Sequence, residues 1–490
     1  MSTSGFVKRI QNIMRNDSGV NGDAQRIEQI VWILFLKIYD AKEQIWELYE
    51  DDYQSIIPEG YKWRDWAIDK KDGEALTGGS LLEFVNNDLF PTLKGIEIDE
   101  RTPIHKAIVK TAFDDANNYQ KDGILLRQVV NVIDEIDFTE YKERNEFGAI
   151  YESFLKDIQS AGNAGEFYTP RAVTDFMVKV VNPVLGEKIA DFASGTGGFL
   201  TSALNALDKQ IGNSLEKKEL YDQSIHGVEK KSLPYLLSLT NMLIHDIDEP
   251  YILHDNSLEI NYRDMRKMEA FDVILMNPPY GGNEKESVKV NFPTELRSSE
   301  TADLFMNVIM YRLKLNGRAA VIIPNGFLFG TDNAKYNIKK KLFNEFNVHT
   351  IVRMPPSVFA PYTSIQTNII FFDNKGTTKE TWFYRVDMPE GYKHFSKTRP
   401  MQLEHFQGAI DWWNDREEIE LDGYPKAKRY SLEEIEAENY NIDLCRIPQE
   451  EEIILDPNDL IQEYQEKRAS LNDEIDHVLK QITSLIGGKE

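Results

Sequence analysis

Asn277-Pro278-Pro279-Tyr280 is the stretch of this chain with the plainest chemical content. It follows the run Phe271-Asp272-Val273-Ile274-Leu275-Met276, which reads as a buried strand, so the four residues sit where that strand ends. Two successive prolines cannot continue a sheet ladder, and a residue before proline is driven to extended backbone. Asn277 is therefore expected at the strand's carboxyl edge, its side-chain amide and the Pro278 carbonyl facing outward. Two such acceptors suit an exocyclic or amide NH2 group, and the Tyr280 ring suits a planar substrate. The chemistry this suggests is methylation of a nitrogen whose lone pair is tied up in conjugation. Taken alone, the tetrapeptide is equally consistent with an ordinary strand-ending turn.

Three more apolar runs end in residues of the right kind to hold a cofactor. Lys188-Ile189-Ala190-Asp191 runs through Phe192-Ala193 into Ser194-Gly195-Thr196-Gly197 and then a helix from Phe199 to Leu207. Glycines there let a ligand approach the main chain, in the strand-loop-helix design that serves dinucleotides and nucleoside cofactors. The chain has no G-x-x-x-x-G-K-[ST] pattern, so ATP or GTP hydrolysis has no support. Ser224 to Val228 reads as a second strand ending in Glu229, an acid placed to bind ribose hydroxyls, with a solvated charge as the alternative. Tyr251-Ile252-Leu253-His254 leads to Asp255, which could accept from an adenine amino group, with a plain Asp-Asn-Ser turn as the alternative. Glycine loop, acid, Asp and the Asn-Pro-Pro-Tyr motif come in that order along an α/β pattern. In that order they resemble a class I S-adenosylmethionine-dependent methyltransferase of the amino-methylating kind.

Upstream, Ala164-Gly165-Glu166-Phe167-Tyr168-Thr169-Pro170-Arg171 opens a helix whose stripe Val173, Phe176, Met177 and Val180 faces a core. Thr169 is expected as N-cap and Pro170 as the first helical residue. The free amides and positive end of such a helix favour the cofactor's carboxylate. This stretch is similar to the segment before the cofactor loop in DNA adenine methyltransferases whose target-strand motif comes last.

Over nearly its whole length the chain resembles the modification (methyltransferase, M) subunit of bacterial type I restriction-modification systems, in the N6-adenine DNA methyltransferase family. The likeness is carried further by Thr301-Ala302-Asp303-Leu304-Phe305, by 317–326, by 355–369 and by the early helix Arg26 to Lys37. Two positions depart from the family: Phe192 stands where proline is usual, and His254 where glycine is common. The resemblance implies an α/β, Rossmann-like doubly wound sheet with an N-terminal all-helical domain and a C-terminal helical, coiled-coil tail. It implies that Glu166, Phe167, Tyr168, Thr169, Pro170, Arg171, Asp191, Ser194, Gly195, Thr196, Gly197, Glu229 and Asp255 bind S-adenosylmethionine. Asn277, Pro278, Pro279 and Tyr280 then act on N6 of a flipped-out adenine, with no metal. The implied partners are double-stranded DNA, a specificity subunit that reads the site, the restriction subunit of the full complex, and a second copy of this chain held through the specificity subunit. Two rival readings use the same residues: a protein-glutamine N5 methyltransferase, whose substrate amide presents an equivalent NH2, and a non-catalytic scaffold subunit.

Composition constrains these readings. A chain of 490 residues is too long for one core. Residues 1–150 read as the helical domain, 151–400 as the catalytic domain and 401–490 as a tail. The single cysteine, Cys445, excludes an intramolecular disulfide framework and fits a reducing bacterial cytoplasm. The apolar run Ile30 to Leu36 is too short to span a bilayer, and Phe6-Val7-Lys8-Arg9 does not open a signal peptide. A formal net charge of −25 is wrong for a protein that grips DNA alone, so either the substrate is not DNA or basic charge comes from a partner, and the resemblance supplies such a partner in the specificity subunit. Lys339-Lys340-Lys341 could touch the backbone, though a solvated helix face is the simpler reading. In a helix over 458–486, Ile461, Tyr464, Leu471, Ile475, Val478, Ile482 and Leu485 recur at three and four, which predicts a coiled-coil arm, with a helix packed back on its own domain as the alternative; the resemblance implies the specificity subunit as its partner. The polar segment Gly281 to Leu296 is expected to be a loop that orders over DNA. The recognition sequence would live on another chain.

Overall fold

In the computed structural model, residues 3–69, 73, 75–139, 148, 151, 155, 168–212, 214–445 and 457–486 are described. The short apolar runs become β1 (Ile189–Asp191), β2 (Ile225–Glu229), β3 (Tyr251–His254), β4 (Phe271–Met276) and β5 (Leu313–Pro324), all mutually parallel. They continue through β6 (Asn347–Arg353), β7 (Thr367–Asp373), β8 (Glu380–Arg385), β9 (Ile419–Leu421) and β10 (Tyr424–Ser431) into one sheet of order β3-β2-β1-β4-β5-β7-β6-β8-β10-β9. β7 runs antiparallel between β5 and β6. Order reverses between β1 and β4, the switch point at which open α/β sheets bind ligands beyond their carboxyl ends.

The central strands lack polar alternation because both of their faces are covered. Along β4, Val273 and Leu275 enter one core with Phe176, Met177, Leu200 and Leu237. Ile274 and Met276 enter the other with Leu304, Val308, Ile338 and Leu342. Helices Arg171–Val181, Gly198–Ile211 and Ser232–Ile244 thus supply one layer, and Thr301–Arg312 and Asn333–Glu345 the other. The fold is the doubly wound one expected of a class I methyltransferase.

The N-terminal helices pack on the first of these layers. Helix Asp23–Tyr49 is buried along most of its length and lies against Ser232–Ile244. Lys42 Nζ sits 3.0 Å from Asp248, and Asp115 accepts from Ser232 Oγ at 2.5 Å, at the start of that helix. At the other end of the sheet β10 pairs with β8, and Phe406 stacks on Phe176 at 4.3 Å. These strands beyond residue 400 were not apparent from periodicity.

Two expectations change. Segment 281–296 holds a helix Glu286–Lys289 and a 3-10 turn Thr294–Leu296, with Val288, Phe292 and Leu296 buried at every fourth position. Its apolar anchors, and the bond from Asn291 Nδ2 to the Leu258 carbonyl at 3.1 Å, pack it against the fold, so it is not a bare loop. Within Lys339-Lys340-Lys341, Lys339 is fully buried and donates to the Leu328 and Gly330 carbonyls at 2.9 and 2.8 Å, while Lys341 pairs with Glu345. Two of the three charges are therefore already engaged.

Residues 446–490 form a second unit, whose described part is the helix Pro457–Ile486. Ile461, Tyr464, Leu471, Ile475 and Val478 are each at least half exposed on it. The side chains of Ile482 and Leu485 lie outside the described set. Among the described residues no helix is long and apolar enough to cross a membrane.

Candidate active site

A cavity of about 270 Å³ opens at the carboxyl ends of β1, β2, β3 and β4. Of the residues singled out in the sequence, Thr169, Asp191, Ser194, Gly195, Glu229, Asp255, Asn277, Pro279 and Tyr280 line it. Tyr168, Pro170, Arg171, Thr196, Gly197 and Pro278 adjoin these positions without contributing to the wall, and Glu166 and Phe167 lie outside the described residues.

The glycine loop is shaped by its neighbours. Gly197 has φ +80°, and a Cβ there would fall 2.8 Å from Ser238 Oγ. The Gly195 amide donates to Glu229 Oε2 at 2.9 Å and the Lys231 amide to Oε1 at 2.8 Å, so the β2-tip acid is held by main chain on both sides. Ser194 Oγ is buried with no hydrogen-bond partner among the described residues, an orphaned polar atom in the cavity wall. Burial pushes the Asp191 carboxyl up to about 8, opposed by the Ala193 amide and reinforced by the Glu229 charge. Burial likewise raises Glu229. A buried hydroxyl without a partner and two carboxyls straining against desolvation fit a polar, positively charged ligand.

Thr169 is not the N-cap expected of it. Helix Arg171–Val181 takes Pro170 as its N-cap, the Pro170 carbonyl receiving the Val173 amide at 2.9 Å. The Thr169 hydroxyl instead accepts from Asn277 Nδ2 at 3.0 Å. Arg171 turns toward the next helix and donates to the Gly198 carbonyl at 2.6 Å and to Ser202 Oγ at 3.1 Å.

With its Nδ2 engaged, Asn277 presents Oδ1 to the cavity, where the Tyr280 hydroxyl donates to it. The Tyr280 ring meets Phe359 edge-on at 6.3 Å. Two wall residues, Lys230 and Lys231, belong to no motif read in the sequence, adjacency to Glu229 being their only signal, while Asn256, Gly282 and Glu284 are legible there only as turn or loop residues. Thr301 and Phe305, from the helix after the 281–296 segment, complete the wall. A Cβ on Gly282 would come within 2.5 Å of Thr301 Oγ1, so glycine lets the segment lie against that helix.

A family model described as N-6 DNA methylase matches residues 142–454, and one described as HsdM N-terminal domain matches residues 3–133. The type I restriction enzyme EcoEI methylase subunit of Escherichia coli is 48% identical over 99% of this chain and 98% of its own length. The StySPI methylase subunit of Salmonella potsdam is 27% identical over 83% and 75%. Among solved structures, a modification subunit assigned to a type I restriction enzyme of Vibrio vulnificus YJ016 matches at TM-score 0.78 and 39% identity, covering 91% of this chain and 96% of that one. A chain from work on complex assembly and conformational transition of the type I R-M system matches at TM-score 0.79 and 32% identity, covering 100% and 99%.

Proposed function

The chain belongs to the N-6 DNA methylase family, as a type I restriction enzyme methylase subunit, and from that premise we propose that it methylates N6 of an adenine turned out of double-stranded DNA, using S-adenosylmethionine. The observation that supports this best is the fixed Asn277 amide, its Oδ1 facing the same cavity that the three cofactor-type strand tips enclose.

Glu229 offers its remaining lone pairs to ribose hydroxyls, Asp255 to an adenine amino group, and Asp191 with Ser194 faces the positively charged end of the ligand. The Gly195 to Gly197 turn and Thr169 lie beside them. When bound, the cofactor supplies a methyl group on a positively charged sulfur. A base inside a duplex is out of reach of this cavity, so it must be extruded. Tyr280 stacks on the extruded ring, giving up its hydrogen bond to Asn277 Oδ1. That oxygen and the Pro278 carbonyl accept the two N6 hydrogens, which draws electron density onto the nitrogen and frees its lone pair. Catalysis is then positioning and electrostatics.

Basic charge for the duplex comes from a specificity subunit docked on the exposed stripe of Pro457–Ile486, because this chain carries −25. A second copy binds through the same subunit, the restriction subunit joins the full complex, and the assembly works in the bacterial cytoplasm. The test is transfer of labelled methyl to unmodified genomic DNA, with and without the co-expressed specificity subunit. N6-methyladenine formed only by the mixture supports chemistry and partner together. Label on protein glutamine, or none in either arm, overturns the reading.

A further inference from the structure

Phe192 separates two cavities. One is the cavity at the strand ends, and the other, of about 190 Å³, lies between β2, β3 and the end of helix Thr301–Arg312. Asp255 and Ser257 are shared by both walls, and Ser257 Oγ donates to the Phe192 carbonyl at 2.7 Å.

The second cavity holds an unusual cation. Arg312 is more than nine-tenths buried, and among the described residues it has no carboxylate within ion-pair distance. Its Nε donates to the Glu269 carbonyl oxygen at 2.9 Å, and its Nη1 meets Met268 Sδ at 3.8 Å. The guanidinium lies 5.1 Å from the ring centroids of both Phe192 and Phe271. An unpaired buried guanidinium is costly unless something answers it. The nearest acid, Glu269, is turned to Lys188 and so is already neutralised. His226 adds a buried Nε2 without a partner, its ring 5.3 Å from Tyr251 and 5.1 Å from Phe271. Asp255 stands at the rim, its Oδ1 accepting from the Asn256 amide at 2.7 Å.

We propose that this second cavity binds a compact planar aromatic carboxylate, its carboxylate taken by Arg312 and its ring held by Phe192, Phe271 and Tyr251. The size suits one ring, since a dry apolar cavity of about 150 Å³ accommodates benzene. A guanidinium fork matches a carboxylate in two parallel bonds. Because Phe192 is the shared wall, an occupant changes the shape of the first cavity. That coupling, unlike the binding itself, rests on the first cavity being the cofactor site.

The experiment is ligand-observed saturation-transfer NMR on the full chain with benzoate and, as the uncharged control, benzamide. Benzoate should bind about ten-fold more tightly than benzamide, and Arg312→Met should weaken benzoate by about the same factor. Equal binding of the two probes, or benzoate binding that survives Arg312→Met, overturns the proposal. The probe comparison on the unaltered chain decides the matter if the variant does not fold. Titration of S-adenosylmethionine by calorimetry with and without saturating benzoate then reads the coupling. A shift of a few-fold supports it and an unchanged affinity overturns it, while no cofactor binding in either arm points instead to failure of the cofactor reading.

Discussion

Asn277 Nδ2 donates to Thr169 Oγ1 across 3.0 Å, joining two residues 108 positions apart. The bond holds the amide with its NH2 turned to Thr169 and its oxygen toward the cavity and the Tyr280 hydroxyl. On the proposed reading, Thr169 positions Asn277 as the acceptor for the substrate amino group. Thr169→Val keeps the shape and removes the hydroxyl. It should lower kcat by about 10- to 100-fold, as misoriented reacting groups do, while cofactor affinity changes far less. Thr169→Ser should restore most of the rate. Equal losses in the valine and serine variants would remove the hydroxyl from the account.

Tyr280 makes two separable contributions. Its hydroxyl donates to Asn277 Oδ1, and its ring lines the cavity. If the ring is the working part, Tyr280→Phe should retain activity within a few-fold, since the hydroxyl must in any case release Oδ1. Tyr280→Ala loses base stacking, worth about 1–3 kcal/mol per base, and should abolish fluorescence enhancement of 2-aminopurine placed at the target position. A dead phenylalanine variant would assign the chemistry to the hydroxyl.

Asp191 makes stability depend on pH and, on the proposed reading, cofactor binding as well. Burial is the main cause of its folded value of about 8, well above an ordinary carboxylate. For an acid with a raised folded value, the favourable contribution is complete below the unfolded value and is lost as pH rises through the folded one. The window therefore runs from about 4, the unfolded value, to about 8. Without cofactor, Asp191→Asn should gain Tm over the unaltered chain progressively across that window, yet bind S-adenosylmethionine more weakly. Calorimetry in buffers of different ionisation enthalpy should show proton release on cofactor binding near pH 7. Parallel Tm curves for the two chains would refute the assignment.

What the sequence made legible was the row of strand tips. β1, β2, β3 and β4 are short apolar runs, each stopped by a residue of distinct chemistry, and parallel pairing brings those stops to one edge. Thr169 was misassigned because a Thr-Pro pair before an amphipathic helix satisfies the local capping rule, whereas its partner Asn277 is far off in sequence. Strands β9 and β10 were missed because Tyr424-Pro425-Lys426-Ala427-Lys428-Arg429 is polar, carries a proline and has little inward-facing apolar surface. Arg312 was invisible for the opposite reason: one arginine ending an apolar helix reads as a solvated charge, and only packing shows it under two phenylalanines.

Lys335 anchors the helix Thr301–Arg312, which contributes Thr301 and Phe305 to the cavity wall. Its Nζ lies 2.9 Å from Glu300, 3.1 Å from Asp303 and 3.3 Å from Asp332, and Asp303 is fully buried. Lys335→Met leaves Asp303 without its counter-charge and should cost about 3–5 kcal/mol, the range for breaking a buried pair from one side. Lys335→Met combined with Asp303→Asn should recover part of that loss. Urea unfolding of the three chains measures it, and additive losses would show that the pair is not coupled.

The helix Pro457–Ile486 exposes Ile461, Tyr464, Leu471, Ile475, Val478 and Leu479 among charged and polar residues. A thirty-residue helix with an uncovered apolar seam gains little from staying alone in water, since helical stability comes largely from packing such a face. The seam is therefore the place for a partner helix. Leu471→Asp with Val478→Asp puts two charges into the predicted interface. Each buried unpaired charge costs several kcal/mol, so association with the specificity subunit should weaken by well over about 100-fold. S-adenosylmethionine affinity of the isolated chain should be unchanged, because none of these residues lines the cavity. Co-purification and calorimetry on the same preparations separate the two effects. Undiminished association would place the specificity subunit elsewhere on the chain, and a parallel loss of cofactor binding would mean that the helix supports the catalytic fold instead.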